Sequence, residues 1–250
     1  MSIQLTDVRK SFGARLILNG ISLEVRDGET LAVIGQSGAG KSVLLKTIVG
    51  LLEPDRGSVL VDGQEVSRLT REDLYELRRK VGYVFQFAAL FDSMSVFDNV
   101  AMGLRRIAGI SEDEVEQRVH ESLQRVDMGS YAQRMPGQLS GGQRKRVGLA
   151  GAVSTRPRYL LYDEPTTGLD PVTTAVIDEL ILRMARELGV AGVVITHDMK
   201  SAFRVATRIA LLYNGQIRFV GTAQEVEASR DPIVRGFVEG RPELMNEAAA

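Results

Sequence analysis

The eight residues "GQSGAGKS" at positions 35–42 limit the fold of this chain more than any other feature does. They have the form G-x-x-x-x-G-K-S and come directly after "TLAVI" (30–34). A short and nearly continuous apolar run is typical of a strand that is buried on both faces of a parallel sheet. A strand, a glycine-rich loop and a helix in this order form a phosphate-binding loop. The sequence therefore predicts an α/β fold with a phosphate site.

The residues of this loop have separate roles in the prediction. Glycines at 35, 38 and 40 let backbone amides turn toward a phosphate group. We expect Lys41 to reach the β- and γ-phosphates of a nucleotide, and the Ser42 hydroxyl to bind Mg²⁺. The helix that begins here adds the positive end of its dipole to the same site.

Composition excludes several classes of protein. With 250 residues the chain is long enough for one large domain, and 44% hydrophobic and 25% charged residues are ordinary globular values. The net charge of −1 gives no basic excess for nucleic acid, and the absence of cysteine excludes disulfides and thiolate chemistry. No apolar run approaches the roughly 18 residues that cross a bilayer, so at a membrane another chain would supply the span.

Apolar strands alternate with helical patterns along most of the chain. The predicted strands are 21–25, 30–35, 58–63, 80–86, 159–163, 192–196 and 208–215. The first predicted helix is 71–80, after the cap Thr70, and a second starts at a Ser111–Glu114 capping box. A third runs from Ser140 to about Arg156. A fourth runs from Pro171 to Leu188, with Asp170 as its N-cap and Gly189 as its stop. This alternation favours an α/β core with a parallel sheet, and residues 88–155 have the pattern of a helical insertion.

A second apolar strand ends in two acidic residues. The stretch "YLLYDE" (159–164) places Asp163 and Glu164 at the carboxyl end of a predicted strand, where open α/β sheets bind their ligands. We expect Asp163 to hold Mg²⁺ through water. We expect Glu164 to orient or deprotonate the water that attacks the nucleotide.

A further helix start has the features of an anion site. In "LSGGQRKR" (139–146), Ser140 is placed as the N-cap, and two glycines expose the amides of the helix that follows. One nucleotide has one γ-phosphate, so two such helix ends in one chain need an explanation. Two chains packed head to tail, each closing the site of the other, would use both.

Together these motifs resemble those of the ATP-binding-cassette (ABC) ATPases over essentially the full chain. The stretch "GQSGAGKS" is similar to the Walker A loop of that family, "LSGGQ" (139–143) to its signature, "YLLYDE" to its Walker B strand and "GLD" (168–170) to its D-loop. The resemblance implies one ABC domain over residues 1–250. Its parts would be a P-loop NTPase core of the RecA-like α/β type, an antiparallel β subdomain, a helical subdomain at about 88–155, and a C-terminal helix and tail at about 222–250.

The same resemblance assigns roles to residues outside the loop. Gln86 fits the Q-loop glutamine, which binds Mg²⁺ together with Ser42, while Asp163 holds the ion from behind them, through water. His197 in "ITHD" fits the switch histidine, which contacts the γ-phosphate, and Phe12 fits the aromatic residue that stacks on adenine.

The resemblance also defines the complete ATP site. The catalytic residues would be Glu164 as the base, His197 and Lys41. Two cassettes would sandwich two ATP molecules, each between the Walker A loop of one chain and the signature of the other. The residues expected to bind ATP are Phe12, Gly35, Gln36, Ser37, Gly38, Ala39, Gly40, Lys41, Ser42, Val43, Gln86, Ser140, Gly141, Gly142, Gln143, Asp163 and Asp170.

The apolar stretch "FQFAALFDSMSVFDNV" (85–100) holds four of the eight phenylalanines. In ABC transporters the segment after the Q-loop glutamine forms part of a groove, where the cytoplasmic coupling helix of the membrane permease docks. The residues expected in this groove are Phe87, Leu90, Phe91, Met94, Val96 and Phe97, and we expect half of them to lie in the core instead.

Two stretches resemble one subgroup of these ATPases. "ALFDSMSVFDNVA" (89–101) and "DPIVRGFVEG" (231–240) are similar to ATPases of the Mla (maintenance of lipid asymmetry) type, which power lipid transport in bacterial envelopes. The resemblance implies phospholipid as the cargo, and a permease of the Mla type with an MCE-domain protein as partners. In some systems a small STAS-domain protein joins them. The chain would lie on the cytoplasmic side of the inner membrane, held there by the permease.

Other members of the family share the same motifs. An ABC ATPase for another cargo, such as an amino-acid importer, stays open because the cassette does not touch the cargo. An ABC ATPase of DNA repair or chromosome organisation would carry a long coiled-coil insertion, and an ABC translation factor would carry two cassettes in one chain. A GTPase would need an Asn-Lys-x-Asp motif, which this sequence lacks.

Overall fold

A computed structural model describes residues 2–247, in which ten strands and ten α-helices follow one another. The strands are β1 (Ile3–Phe12), β2 (Arg15–Val25), β3 (Thr30–Ile34), β4 (Arg56–Val61), β5 (Gln64–Glu65), β6 (Val81–Val84), β7 (Tyr159–Asp163), β8 (Ala191–Thr196), β9 (Arg208–Tyr213) and β10 (Gln216–Gly221). The helices are α1 (Lys41–Ile48), α2 (Arg71–Arg79), α3 (Val96–Leu104), α4 (Glu112–Arg125), α5 (Gly141–Ser154), α6 (Pro171–Leu188), α7 (Met199–Val205), α8 (Ala223–Glu227), α9 (Pro232–Glu239) and α10 (Pro242–Glu247).

The described chain divides into two units. One contains residues 2–74 and 191–247, and the other contains Tyr75–Val190. All seven predicted strands are present, although β2 begins at Arg15 rather than at residue 21. The strands β1, β5 and β10 are additional to the prediction.

In the first unit an antiparallel sheet has the strand order β2-β1-β4-β5, which confirms the predicted antiparallel subdomain. Ile3 of β1 lies opposite Val25 of β2 and Val61 of β4, and all three side chains are buried. The register of β1 shifts between Leu5 and Val8. Such a bulge breaks the alternation of apolar and polar residues, which is why periodicity did not mark β1 as a strand.

The same unit contains the parallel strands that position the phosphate loop. Strand β3 runs parallel to both β8 and β9, and β10 pairs with β9 in the antiparallel direction. Every residue of β3 and β8 is buried, as a strand covered on both faces requires. Ile34 lies opposite Thr196, so the carboxyl ends of β3 and β8 meet at one edge of the sheet.

The C-terminal segment also packs within this unit. A core cluster joins Ile209 and Leu211 of β9 to Val226 of α8, Val234 of α9 and Met245 of α10. The segment predicted as a C-terminal helix and tail thus contains α8, α9 and α10 as far as Glu247. Residues 248–250 of that predicted tail lie outside the described range.

The second unit contains β6 and β7 as a parallel pair, together with α3, α4, α5 and α6. The side chains of Val115, Val119, Leu123 and Val126 are buried, which confirms the helical face predicted from their spacing. Helix α5 ends at Ser154 rather than at Arg156 because Arg156 adopts a left-handed backbone (φ 54°) directly before Pro157.

One predicted cap forms only in part. The Ser111 hydroxyl accepts a hydrogen bond from the Glu114 amide at the start of α4, as predicted. The Glu114 carboxylate pairs with Arg118 instead of returning to the amide of Ser111. An ion pair at i,i+4 competes with the second half of a capping box for the same carboxylate.

Candidate functional site

The phosphate loop lies between β3 and α1, and its shape depends on glycine. Gly38 and Gly40 have φ values of 76° and 102°, in the left-handed region that other residues disfavour. A Cβ atom at Gly35 would lie 2.4 Å from the carbonyl oxygen of Leu212, and one at Gly40 would lie 2.9 Å from Cγ2 of Ile17. The backbone therefore approaches β9 and β2 more closely than any side chain would permit.

Lys41 is the first residue of α1 and is buried. Its Nζ atom donates to the carbonyl oxygens of Gly35 (2.8 Å) and Gln36 (3.0 Å), so the ammonium group lies within the loop. A cation at a helix N-terminus creates a strong preference for an anion. Ser42 and Val43 follow in the first turn of α1 and are partly exposed. This arrangement fits the phosphate groups of a nucleotide.

A cavity of about 370 Å³ adjoins the phosphate loop. Its lining residues are Arg15, Leu16, Ile17, Gln36, Ser37, Gly38, Ala39, Leu212, Tyr213, Asn214 and Gly215. The volume lies in the range of small-molecule sites, roughly 300–1,000 Å³. No sequence motif marked Arg15 or Asn214, and the only available signal for Arg15 was its position three residues after Phe12.

Phe12, predicted to stack on adenine, lies at the end of β1 and does not line this cavity. Its side chain is 50% exposed, and the Nζ atom of Lys10 is 5.8 Å from the centroid of its ring. An exposed aromatic face is able to accept a stacked base. The adenine contact of Phe12 stays a prediction.

His197 follows β8 and is exposed. The next residue, Asp198, caps α7 by accepting hydrogen bonds from the amides of Lys200 (2.9 Å) and Ser201 (3.2 Å). The cap fixes the turn in which His197 lies. Because β8 is the parallel neighbour of β3, His197 and the phosphate loop lie at the same edge of the sheet. The structure thus brings these two predicted site elements to one edge.

Two acidic residues mark the end of β7 in the second unit. Asp163 is buried, and its Oδ2 atom accepts a hydrogen bond from the hydroxyl of Tyr83 at 3.0 Å. Burial, together with the adjacent Asp163 carboxylate, raises the pKa of Tyr83 above its ordinary value, so the phenol remains a donor. Glu164 has a left-handed backbone (φ 49°), and its Oε2 atom accepts from the Thr167 hydroxyl at 2.6 Å. Both carboxylates are therefore oriented by hydroxyl donors.

Lys145 joins these acids to the predicted Q-loop. Its Nζ atom donates to the carbonyl oxygen of Gln86, and the carbonyl oxygen of Glu164 is 3.4 Å from the same atom. Lys145 is buried in α5, and this burial lowers its pKa, although the carboxylates of Glu164 and Asp163 act in the opposite direction. The structure thus brings Gln86, Asp163 and Glu164 together, as the motifs predicted.

Three residues of this cluster were not predicted from the sequence: Tyr83, Lys145 and Thr167. Each lies beside a motif residue, but the motifs themselves assign it no role. For Tyr83 and Lys145 a partial signal existed, because each is a polar residue within a strand or helix whose neighbours are largely buried. Thr167 offered no signal beyond its place three residues after Glu164.

The predicted signature begins α5 with a complete capping box. The Ser140 hydroxyl accepts from the Gln143 amide (3.3 Å), and the Gln143 side chain accepts from the Ser140 amide (2.9 Å), which confirms Ser140 as the N-cap. Ser140 and Gly141 are exposed, whereas Gly142 is buried. A Cβ atom at Gly142 would lie 2.4 Å from Cγ2 of Thr173, so glycine permits α5 to begin close to α6.

Asp170 is the N-cap of α6, as predicted. Its carboxylate accepts from the amides of Val172 (2.9 Å) and Thr173 (3.0 Å) and from the Thr173 hydroxyl (2.5 Å). The hydroxyl of Thr173 and then its amide hold the pKa of Asp170 below its ordinary value. Asp170 therefore remains ionised and fixes the turn that follows the GLD stretch.

The donor groups present are compatible with Mg²⁺ only when a nucleotide supplies further ligands. Between residues 2 and 247 no group of three or more His, Asp or Glu side chains could hold a metal ion. Mg²⁺ in nucleotide sites usually takes one or two protein ligands and completes its shell with water and phosphate oxygens. The hydroxyl of Ser42, in the first unit, is a group of this kind, and the carboxylate of Asp163, in the second unit, is a group that can hold the ion through water, so each residue by itself fits Mg²⁺.

A groove of about 510 Å³ lies in the second unit, near the stretch 85–100. Its lining includes the rings of Tyr75, Tyr83 and Phe85, and the side chains of Leu90 and Met102. Three arginines, Arg78, Arg79 and Arg106, also line it, and no acidic residue appears among the described residues of its lining.

The six residues predicted for a docking groove, half of which were expected in the core instead, differ in burial and in whether they line this groove. Of the six residues expected there, only Leu90 lines it. Val96 is fully buried because it begins α3 and faces the core, and Phe97 and Met94 are partly buried. Phe87 and Phe91 are exposed, at 82% and 50%, but lie outside the groove. Ala88 and Ala89 have a left-handed backbone (φ 60° and 51°), which turns the chain at this point. Side chains that are close in the sequence therefore point in different directions.

Comparison with known proteins assigns the family. The family model described as "ABC transporter" matches residues 18–167, which cover the phosphate loop, the signature and both acids of the β7 end. The chain belongs to the ABC transporter family. As an ABC ATPase it binds ATP and ADP and hydrolyses ATP, and it serves as the ATP-binding subunit of a transporter.

Relatives of this ABC ATPase extend over nearly all of the chain. It is 38% identical over 241 residues to a probable ribonucleotide transport ATP-binding protein, mkl, of Mycobacterium leprae, covering 96% of this chain and 70% of the relative. It is 42% identical over 222 residues to the methionine import ATP-binding protein MetN of Carboxydothermus hydrogenoformans. This match covers 88% of this chain and 66% of the relative. It is 43% identical over 253 residues to the sulfate/thiosulfate import ATP-binding protein cysA of Cucumis sativus. This match covers 100% of this chain and 71% of the relative.

Solved structures of ABC cassettes have the same fold. A dimeric ATP-binding cassette in a post-hydrolysis state, bound to ADP and phosphate, is 32% identical, with a TM-score of 0.80 over 88% of this chain and 98% of that chain. The cbiO1 protein of Clostridium perfringens, part of the ABC transporter complex cbiONQ, is 29% identical, with a TM-score of 0.84 over 98% of each chain. Cassettes of this family dimerise and associate with a membrane permease. Between residues 2 and 247 no helix is both long and apolar enough to cross a membrane.

Proposed function

We propose that this ABC ATPase drives phospholipid transport across the bacterial envelope, as the nucleotide-binding subunit of a transporter of the Mla type at the inner membrane. The groove lined by Tyr75, Phe85, Leu90 and Met102 is the observation that carries the transport role. Aromatic and methionine side chains that line an open groove are typical of a surface that a partner covers. The partner would be the coupling helix of a permease.

The charge of the groove defines this partner further. Three arginines, Arg78, Arg79 and Arg106, and no acidic residue stand in its described lining, although Arg79 is paired at 2.9 Å with Glu76, which lies outside that lining. An amphipathic helix with an apolar face and acidic side chains at its edge would complement such a groove in shape and charge. We therefore propose a coupling helix of that composition on the permease.

The lipid cargo rests on two local similarities, at 89–101 and 231–240, to ATPases of the Mla type. Overall identity does not discriminate between cargoes, because relatives at 38%, 42% and 43% identity are named for ribonucleotide, methionine and sulfate. An MCE-domain protein would be the further partner. The second candidate is an importer of another cargo, favoured by the identity of 42% to the methionine import protein.

The catalytic proposal follows the hydrogen bonds of the two acidic residues. Glu164 would act as the general base, and the Thr167 hydroxyl on its Oε2 atom would aim the carboxylate at the attacking water. Ser42, Gln86 and Asp163 would hold Mg²⁺. When bound, the ion neutralises charge that develops on the transferred phosphoryl group. Lys41 and the loop amides would bind the phosphates, and His197 would contact the γ-phosphate.

The signature completes the proposal through a second copy of the chain. Ser140, Gly141, Gly142 and Gln143 would bind the ATP held by the Walker A loop of the partner, and Asp170 would fix the D-loop at the same junction. In support, Ser140 and Gly141 are exposed at a helix N-terminus, a position that favours anions. Phe12 would stack on the adenine of the nucleotide bound by its own chain.

An affinity pull-down of the chain from its native membranes in mild detergent tests the cargo proposal. Mass spectrometry would identify the proteins and lipids that co-purify. A permease with an MCE-domain protein and phospholipid is the expected result. A permease of another kind, with its own cargo-binding protein, would overturn the lipid assignment and favour the importer.

A further inference from the structure

The hydrogen bond between Tyr83 and Asp163 joins the ends of two neighbouring strands. Strands β6 and β7 are parallel, with Val84 opposite Tyr162, so Tyr83 and Asp163 lie at the same edge of the pair. The Tyr83 hydroxyl donates to the Oδ2 atom of Asp163 at 3.0 Å. This is a contact between a neutral donor and a buried carboxylate, which favours a single orientation of both groups.

The orientation of the Asp163 carboxylate is the property that this bond controls. Rotation about χ2 of an aspartate is broad and roughly two-fold, so packing alone does not fix the direction of its oxygen atoms. A hydrogen bond to one oxygen fixes that rotation and thereby fixes the direction of the other. A carboxylate that holds a metal ion through water depends on this direction, and loss of an outer-shell group that orients a metal site usually lowers metal affinity by about 10- to 100-fold.

The hydroxyl of Tyr83 has no role in packing that a phenylalanine would lack. The ring of Tyr83 lines the groove and contacts the ring of Phe85, with centroids 4.5 Å apart. A phenylalanine would fill the same volume and keep the same ring contact. The hydroxyl therefore serves the bond to Asp163.

We propose that Tyr83 is the positioning residue for the Mg²⁺-binding carboxylate of Asp163, and that one side chain thereby belongs to both the groove and the ATP site. The inference rests on the proposed role of Asp163 in binding Mg²⁺. The motifs of the family include neither Tyr83 nor its hydroxyl bond. A partner that moves the ring of Tyr83 would change the direction of the carboxylate at the other end of the same side chain.

The groove contains a matched control for this proposal. Tyr75 also lines the groove, but its hydroxyl donates to the carbonyl oxygen of Arg106 at 2.8 Å. Tyr83→Phe and Tyr75→Phe thus remove the same atom from the same groove, and only the first removes a bond to Asp163. Asp163→Asn serves as the reference for complete loss of the carboxylate.

The experiment measures ATP binding to the full chain by calorimetry, with Mg²⁺ and with EDTA, and the readout is the ratio of the two dissociation constants. For Tyr83→Phe we expect the gain in affinity from Mg²⁺ to fall by about 10-fold or more, with unchanged binding in EDTA. Tyr75→Phe should retain the wild-type ratio. Thermal unfolding of each variant would verify that its fold is intact.

The outcomes separate this proposal from the one on which it rests. If Asp163→Asn loses the effect of Mg²⁺ while Tyr83→Phe keeps it, the positioning role of Tyr83 is wrong and the Mg²⁺ role of Asp163 stands. If Asp163→Asn also keeps the full effect, the Mg²⁺ assignment is wrong and the role of Tyr83 is overturned with it. Equal losses in Tyr83→Phe and Tyr75→Phe would indicate a general effect of the groove and would also overturn the proposal.

Discussion

The Nζ atom of Lys145, in the helix that begins at the signature, donates a hydrogen bond to the carbonyl oxygen of Gln86. The carbonyl oxygen of Glu164 lies 3.4 Å from the same ammonium group. One buried side chain thus connects the signature helix, the Q-loop and the segment of the proposed catalytic base. The carbonyl oxygen of Glu164 also accepts from the Thr167 amide at 3.3 Å.

Replacement of Lys145 should therefore affect both stability and turnover. Lys145→Met removes the ammonium donor from the carbonyl oxygen of Gln86, whereas the carbonyl oxygen of Glu164 keeps the Thr167 amide. A buried polar group that loses its partner costs about 1–3 kcal/mol. We expect the free energy of unfolding in urea to fall by about that amount. We expect kcat for ATP to fall by roughly 10- to 100-fold, because misplacement of site residues by about 1 Å has effects of this size.

Lys46→Met is the matched control, since Lys46 is an exposed lysine of α1. It should retain both the stability and the kcat of the wild-type protein. A Lys145→Met protein with reduced stability and wild-type kcat would show that Lys145 has only a structural role.

Two glycines of the second unit should respond to alanine in opposite directions. A Cβ atom at Gly82 of β6 would lie 2.5 Å from the carbonyl oxygen of Ala152, and such overpacking costs about 1–3 kcal/mol. A Cβ atom at Gly151 of α5 has no neighbouring atom within 4 Å, and alanine in a helix is about 0.5–1 kcal/mol more favourable than glycine. Urea unfolding should show Gly82→Ala to be destabilised and Gly151→Ala to be stabilised. Changes of the same sign would contradict the packing described here.

Asp98 should contribute to stability in a manner that depends on pH. The hydroxyl of Ser95 (2.6 Å) and then the guanidinium of Arg105 (3.0 Å) hold the pKa of Asp98 below its ordinary value. Because its pKa is lower in the folded state, Asp98 stabilises the protein fully above the unfolded-state pKa of about 3.9. The contribution is lost as the pH falls through the lower folded-state pKa.

Thermal unfolding of Asp98→Asn at pH 7 and pH 3 measures this contribution. The variant should have a lower Tm than the wild type at pH 7, and the difference should shrink at pH 3. A difference in Tm that is equal at both pH values would exclude titration of Asp98 as its cause.

The groove should lose its partner when an acidic residue is placed in it. Leu90 lines the groove, so Leu90→Asp buries a charge against the proposed coupling helix and should weaken co-purification with the permease. Phe87→Asp is the control, because Phe87 is more exposed but lies outside the groove. Both variants should bind ATP as the wild type does. Equal recovery of the permease with Leu90→Asp and with the wild type would argue against this docking surface.

The sequence predicted the fold well where the chain is locally regular. Alternation of strands and helices indicated the parallel core, and the capping residues Ser140 and Asp170 placed two helix starts correctly. Periodicity did not predict the strand β1, because a bulge between Leu5 and Val8 interrupts the alternation of its apolar and polar residues. Local patterns describe elements, but they do not describe where a bulge shifts the register.

The motifs predicted individual residues of the site, but they did not predict the contacts between those residues. The motifs placed Gln86 and Glu164 in one site, yet they did not indicate Lys145 as the donor between them. The sequence did not show which residues of 85–100 line the groove, because neighbours in sequence such as Phe87 and Leu90 diverge at the left-handed turn of Ala88 and Ala89. Contacts that depend on such turns or on distant segments are set by the tertiary fold.

Glu164→Gln tests the central claim, that this chain is an ATPase with Glu164 as its general base. The substitution keeps the size of the side chain and a group able to accept from Thr167, but it removes the basic carboxylate. General-base catalysis contributes about 10²–10⁴ in rate, so kcat should fall by at least about 100-fold. ATP binding should persist, and size-exclusion chromatography with ATP should show a trapped dimer. A Glu164→Gln protein that hydrolyses ATP at the wild-type rate would contradict the account.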